Sequence, residues 1–168
     1  MNNLILCGFM GCGKTTVGKL LSRRLRMEYI DLDAELEAEA GMPIPEIFAQ
    51  YGEAYFRELE HEAIKGLAKR IRCVVSTGGG AMTFARNVSA IDRRDAVVFL
   101  DAAFETCYAR IKDSDRPIVR RSTAQALHEL FLKRRAAYLC CSSFCVDANL
   151  PAEQLVDTII LLYNAGTV

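Results

Sequence analysis

The sequence has no surplus of positive charge: Lys plus Arg and Asp plus Glu number 21 each, for a formal charge of zero. A domain that binds nucleic acid usually carries a basic excess, so the balance argues against such a partner. Also missing is any apolar run near the ~18 residues that a membrane span needs. The apolar opening Leu4-Ile5-Leu6-Cys7 is too short for a signal-peptide core, and no basic segment precedes it. It reads as a first strand, and a cytoplasmic location is expected. No Cys-x-x-Cys pair occurs, and the cysteine count of seven is odd, so full pairing within one chain is impossible. Cys140, Cys141 and Cys145 crowd together without the spacing of a zinc site. Reduced thiols serving as small core residues are the expectation. Internal repeats, low-complexity tracts and linkers are absent too. With 168 residues and 51% of them apolar, one domain spanning 1–168 with a sizeable core is expected.

What is present is an alternation of short apolar runs and helical patterns. Strands are predicted at 4–7, 29–32, 73–77, 96–100 and 144–146. Val17, Leu20, Leu21 and Leu25 recur at helical spacing, as do Ile64, Leu67 and Ala68. Leu127, Leu130, Phe131 and Tyr138 mark a later helix, and Pro151 suits the first turn of a last one carrying Leu155, Ile159 and Leu162. Strand–helix alternation predicts an α/β fold, a parallel sheet covered on both faces. The polar stretch from Lys112 to Ser122, with four basic residues and Pro117, reads as a loop between two helices.

Gly8-Phe9-Met10-Gly11-Cys12-Gly13-Lys14-Thr15 matches G-x-x-x-x-G-K-S/T in full, after a strand and opening a helix. Glycines let backbone N–H groups turn toward an anion, and the new helix's free N–H groups and dipole add to the attraction. Lys14 would reach the terminal phosphates, and the Thr15 hydroxyl could ligate Mg²⁺. The motif implies a nucleoside triphosphate with Mg²⁺, and motors, switches and kinases share it.

Four further features suggest an acceptor substrate. Asp31-Leu32-Asp33 is read as closing the second strand, so that both carboxylates share one face at the ligand-binding end of the sheet. One could hold the Mg²⁺ water shell and the other accept a hydroxyl proton; alternatively, an Asp caps a helix beginning at Ala34. Arg57 has Glu53 and Glu60 at helical spacing, which would orient its guanidinium toward an anion or form a solvated ladder. Gly78-Gly79-Gly80 follows the third strand and would bring bare backbone to the ligand edge, or serve only as a flexible turn. Arg116 lies in the 112–122 stretch, where it could close over phosphates.

Taken in order along nearly the whole chain, these pieces resemble the shikimate kinase family. The phosphate loop, Asp31-x-Asp33, the run Ile47-Phe48, Gly52-Glu53, Phe56-Arg57 and Glu60, the triple glycine and Asp115-Arg116-Pro117 carry the resemblance. It implies phosphorylation of the 3-hydroxyl of shikimate by ATP with Mg²⁺. It also implies a three-layer P-loop fold: five strands in the order 2-3-1-4-5, a substrate-binding subdomain near 33–61, and a lid near 112–123. By position, Gly11, Cys12, Gly13, Lys14, Thr15 and Thr16 would cradle ATP, with Arg116 closing over the phosphates and Arg110 beside adenine together with Pro151. Asp31 and Thr15 would serve the metal. Asp33, Arg57, Gly78, Gly79, Gly80 and Arg134 would meet the substrate, with Asp33 as candidate base. Lys14, Asp31, Asp33 and Arg116 make up the implied catalytic set. A monomer acting on a small molecule is expected.

The chain departs from the family pattern in three places. Arg134-Arg135-Ala136-Ala137-Tyr138 lacks a usual Pro, leaving Arg135 as a rival to Arg134. Residues 139–144 are rich in Cys and Ser where acidic residues are usual, and Pro43 and Pro45 stand near a usual helix-capping hydroxyl. Another small-molecule kinase of this fold, acting on gluconate or a nucleoside, and a non-catalytic nucleotide switch are the competing readings.

Overall fold

The computed structural model describes residues 2–114 and 116–166; Asp115, part of the proposed lid signature, lies outside them. Five parallel strands, β1 (Leu4–Cys7), β2 (Glu28–Asp31), β3 (Cys73–Ser76), β4 (Ala96–Asp101) and β5 (Phe144–Asp147), form one sheet in the order β2-β3-β1-β4-β5. The helices are α1 (Lys14–Leu25), α2 (Leu32–Ala40), α3 (Ile44–Gly66), α4 (Ala85–Ala90), α5 (Phe104–Ile111), α6 (Pro117–Arg120), α7 (Ala124–Cys141) and α8 (Ala152–Asn164). The three central strands are buried along almost their whole length, while β2 and β5 mix buried and exposed positions. Burial on both faces is what requires the unbroken apolar runs of Leu4-Ile5-Leu6-Cys7 and Ala96-Val97-Val98-Phe99-Leu100. A strand with an alternating pattern could not occupy the centre.

The apolar positions of α1 and α8 pack these helices together, and α7 lies on β4. The main core runs through the sheet into these helices, whereas Leu36, Ile47 and Phe56 form a second, small cluster between α2 and α3. Helix α3 is interrupted at Gly52, whose φ of 80° and ψ of 171° break the helical path.

Caps account for several helix starts. The Thr123 hydroxyl accepts the Ala126 N–H at 3.2 Å and opens α7. At α3 the capping residue is Pro43, which has no side-chain acceptor; the Glu37 carboxylate reaches across from α2 and takes the Ile44 N–H at 2.9 Å. Pro151 likewise sits at the cap of α8 rather than within its first turn.

Two periodicity expectations are corrected. Ala68 is exposed, because α3 ends at Gly66 and the chain tightens into a 3-10 turn over Leu67–Lys69, turning Ala68 off the buried stripe. Cys7, Cys12, Cys73 and Cys107 are buried as small core residues, but Cys140 and Cys145 are exposed. The edge strand β5 and the outer end of α7 put those two side chains on the surface.

Candidate functional site

The C-terminal ends of β1, β2 and β3 open into one cavity of about 580 Å³. Ligands of open parallel sheets bind at this edge. The phosphate-loop motif lies directly after β1. Gly11 and Gly13 have φ of 83° and 104°, backbone that side chains with a Cβ rarely adopt, and a Cβ on Gly11 would stand 2.8 Å from the Cys107 carbonyl oxygen. The loop is thus both twisted and pressed against α5. Lys14 Nζ donates to the Gly8 and Phe9 carbonyls at 2.8 and 3.1 Å, which holds its charge inside the loop. Arg110, from α5, donates to the Gly11 carbonyl at 2.8 Å. Thr15 and Thr16 follow Lys14 on the first turn of α1 and line the cavity with Gly11, Cys12, Gly13, Arg110 and Arg116.

The expectation for Asp31 and Asp33 needs a correction. Strand β2 stops at Asp31, and α2 already begins at Leu32, not at Ala34. Asp31 is the cap: its Oδ1 accepts the Ala34 N–H at 3.4 Å. The two carboxylates therefore do not share a strand face. They line the same cavity because a cap and the second residue of the helix it starts both overhang the sheet edge. Burial, and then the nearby Asp31 charge, raise the Asp33 pKa above the ordinary carboxylate value, opposed by Lys14 and Arg116. A carboxylate near positive charge yet partly desolvated is suited to accept a proton.

Asp31 and Thr15 supply one carboxylate and one hydroxyl at the cavity wall. That donor set fits Mg²⁺, which commonly takes one or two protein oxygens and completes its octahedron with phosphate and water. Among the described residues no cluster of three His, Cys, Asp or Glu side chains forms a self-sufficient metal cage.

Beyond the phosphate loop, three charged side chains converge on the turn after β3. A Cβ placed on Gly78 would stand 2.7 Å from Asp33 Oδ1, one on Gly80 3.0 Å from an Arg57 nitrogen, and one on Gly79 3.4 Å from an Arg134 nitrogen. The triple glycine is therefore what lets these groups close around the turn. The Tyr138 hydroxyl, from α7, donates to the Gly79 carbonyl and anchors the turn from behind.

Arg57 is held on every side. Its guanidinium donates to Glu53 at 3.1 Å and to Glu60 at 3.0 Å, and lies 5.2 and 5.0 Å from the Phe56 and Phe84 rings. Its side chain is 16% exposed and that of Glu60 2%, so this is no solvated ladder. Burial raises the Glu60 pKa despite the opposing Arg57 charge.

Arg134 and Arg135 part company. Arg135 points to the end of β4 and pairs with Asp101 at 2.6 Å. Arg134 turns to Gly79, and among the described residues no carboxylate lies within ion-pair distance of it. Burial lowers its pKa, and Arg57 adds to that. A half-buried cation with no carboxylate at ion-pair distance among the described residues, and with a second cation near it, has the charge arrangement suited to an anion.

Arg116 caps α6, is exposed, and lines the cavity near Asp33. The sequence motifs do not include Tyr29, whose hydroxyl stands between Asp31 and Ser76. Only its spacing of two before Asp31 on β2 could have flagged it.

Comparison with known proteins agrees with this arrangement. The family model described as shikimate kinase matches residues 10–163. A shikimate kinase from Geobacillus thermodenitrificans is 43% identical over 163 residues, covering 94% of this chain and 86% of the relative. One from Geobacter sulfurreducens is 47% identical over 138 residues, covering 81% and 76%. Among solved structures, the shikimate kinase from Acinetobacter baumannii in complex with shikimate superposes with a TM-score of 0.92 at 34% identity, covering 99% of this chain and 94% of that one. A deoxyadenosine kinase from M. mycoides, at 15% identity and a TM-score of 0.65, shares the fold alone.

Proposed function

The chain belongs to the shikimate kinase family, and from that membership we infer how its site performs the reaction. That reaction is ATP-dependent phosphorylation of the 3-hydroxyl of shikimate to shikimate 3-phosphate and ADP, a step of chorismate and aromatic amino-acid biosynthesis. The observation that carries the division of labour is the meeting of Asp33, Arg57 and Arg134 at the 78–80 turn, which reaches the phosphate-loop cavity through Asp33 and Gly79.

Residues 11–16 cradle the phosphates, with Lys14 on the terminal ones and Arg110 beside the adenine. Thr15 and Asp31 would hold Mg²⁺, which would supply charge neutralisation on the phosphates. Arg57 and Arg134 take the shikimate carboxylate, and the bare backbone of Gly78, Gly79 and Gly80 lets the ring come close. Asp33 orients the ring hydroxyls. The 3-hydroxyl oxygen attacks the γ-phosphorus in line, the bond to the β-phosphate oxygen breaks, and Asp33 receives the hydroxyl proton late. Arg116 closes over the phosphates with the 112–123 lid and excludes water. Residues 33–61 act as the substrate-binding subdomain. Catalysis is mainly positioning and charge neutralisation.

The expected state is a monomer acting on a small molecule. The balanced charge gives no basis for a nucleic-acid partner, and among the described residues no helix is long and apolar enough to cross a membrane; a cytoplasmic enzyme is inferred. The test is ADP release from ATP and Mg²⁺ with shikimate, gluconate and nucleosides as parallel acceptors, for the parent and for Lys14→Ala. Turnover with shikimate alone, abolished by Lys14→Ala, is expected. Turnover with another acceptor would discard the pocket assignment, and ATP binding without acceptor-dependent turnover would favour a nucleotide switch.

A further inference from the structure

The Tyr29 hydroxyl occupies an unusual position. It lies 3.4 Å from Asp31 Oδ2 and 3.1 Å from Ser76 Oγ. Ser76 Oγ in turn lies 3.2 Å from the Lys14 carbonyl oxygen. Three contacts thus run in a line from Asp31 through Tyr29 and Ser76 to the first residue of α1. Both ends of the line, a carboxylate and a carbonyl, are pure acceptors, and the two hydroxyls between them hold only two protons. At most two of the three contacts are hydrogen bonds at one time. One edge of the ring is closely packed: a Cβ on Gly18 would stand 2.6 Å from Tyr29 Cε2, so the phenol has no room to move toward α1.

We propose that Tyr29 is a positioning residue that fixes Asp31 Oδ2, and so sets the geometry of the divalent-cation site. This rests on the assignment of Asp31 and Thr15 to Mg²⁺ above. Outer partners of ligating carboxylates typically govern metal affinity by about 10–100-fold. The long 3.4 Å contact places Tyr29 at the lower end of that range.

The experiment is calorimetric titration of ADP into the protein with Mg²⁺ and with EDTA, plus Mn²⁺ binding to the ADP complex by electron paramagnetic resonance. Parent, Tyr29→Phe, Ser76→Ala and Asp31→Asn are compared. Tyr29→Phe is expected to weaken Mn²⁺ binding about tenfold while metal-free ADP and shikimate affinities stay unchanged. Ser76→Ala should move in the same direction by less. If Asp31→Asn weakens Mn²⁺ binding and Tyr29→Phe leaves it intact, the Tyr29 proposal is overturned while the cation assignment stands. If Asp31→Asn also leaves it intact, the assignment itself fails. Equal weakening of metal-free ADP and of Mn²⁺ in Tyr29→Phe would mean a general packing role and overturn the proposal.

Discussion

Arg134→Met separates function from stability. Methionine keeps most of the aliphatic stem that packs along α7 and deletes the charge. In the folded protein this cation is half-buried, lies near Arg57 and has no carboxylate at ion-pair distance among the described residues; the lowered pKa has the same cause. Folding therefore works against its charge, and the variant should be more stable, by about 1 kcal/mol for relief of an uncompensated charge. For a chain of 168 residues that corresponds to a Tm rise of roughly 2–4 °C. Binding moves the other way. Losing one partner of a desolvated charge pair costs ~2–5 kcal/mol, a weakening of shikimate by about 30-fold to several thousand-fold. ADP affinity should be unaffected. Differential scanning fluorimetry with and without shikimate reads both effects, since the ligand raises the Tm of the parent in proportion to its affinity. A variant that melts below the parent and is still protected by shikimate would refute the argument.

Arg57→Ala removes the partner of Glu60, which is 2% exposed, and should cost ~3–5 kcal/mol of stability while weakening shikimate far more than ATP. The sign of its pH dependence is fixed by Glu60. Its folded pKa is already raised by burial, and loss of Arg57 removes two of the three causes that hold it down, leaving the Arg134 charge. A raised carboxylate contributes stability below its unfolded pKa that is lost as pH rises through the folded value. The stability deficit of Arg57→Ala should therefore shrink on going from pH 8 to pH 5, measured by urea midpoints, and Glu60→Gln in the same background should flatten the difference. Gly18→Ala would put a Cβ 2.6 Å from Tyr29 Cε2 and 3.0 Å from Ser76 Oγ; a loss of ~1–3 kcal/mol is expected by chemical denaturation, and a variant of parental stability would show that the α1–β2 contact is slack.

Much of this fold was legible because its signals are local. A continuous apolar run such as Ala96-Val97-Val98-Phe99-Leu100 states its own burial, and the phosphate loop carries its glycines and lysine in one stretch. The strand order came from family resemblance, since period alone does not say which strands pair. What stayed hidden depends on contacts far apart in sequence. Arg134 and Arg135 are adjacent, and only Asp101 at the end of β4, 34 residues before Arg135, tells them apart. Proline stands where the family often has a hydroxyl to cap α3, and the acceptor is supplied by Glu37 from another helix. The pair Asp31 and Asp33 was rightly linked to one cavity by a wrong local geometry, because the switch from β2 to α2 falls between them. Tyr29 read as a strand residue and no more, since its hydroxyl meets Ser76 of β3, 47 residues away in sequence.

The small cluster of Leu36, Ile47 and Phe56 gives the chain a seam. It is separate from the core that locks the sheet and meets it through Ala63, and the Gly52 break in α3 falls between its members Ile47 and Phe56. Such a unit can open by itself at less than the full free energy of unfolding. Its amides should exchange with deuterium sooner than those of β1 and β4, even at temperatures where the sheet is intact. Because Arg57 follows directly on Phe56, a ligand held by that guanidinium would close the seam and slow exchange along α2 and α3, leaving the central strands as they were.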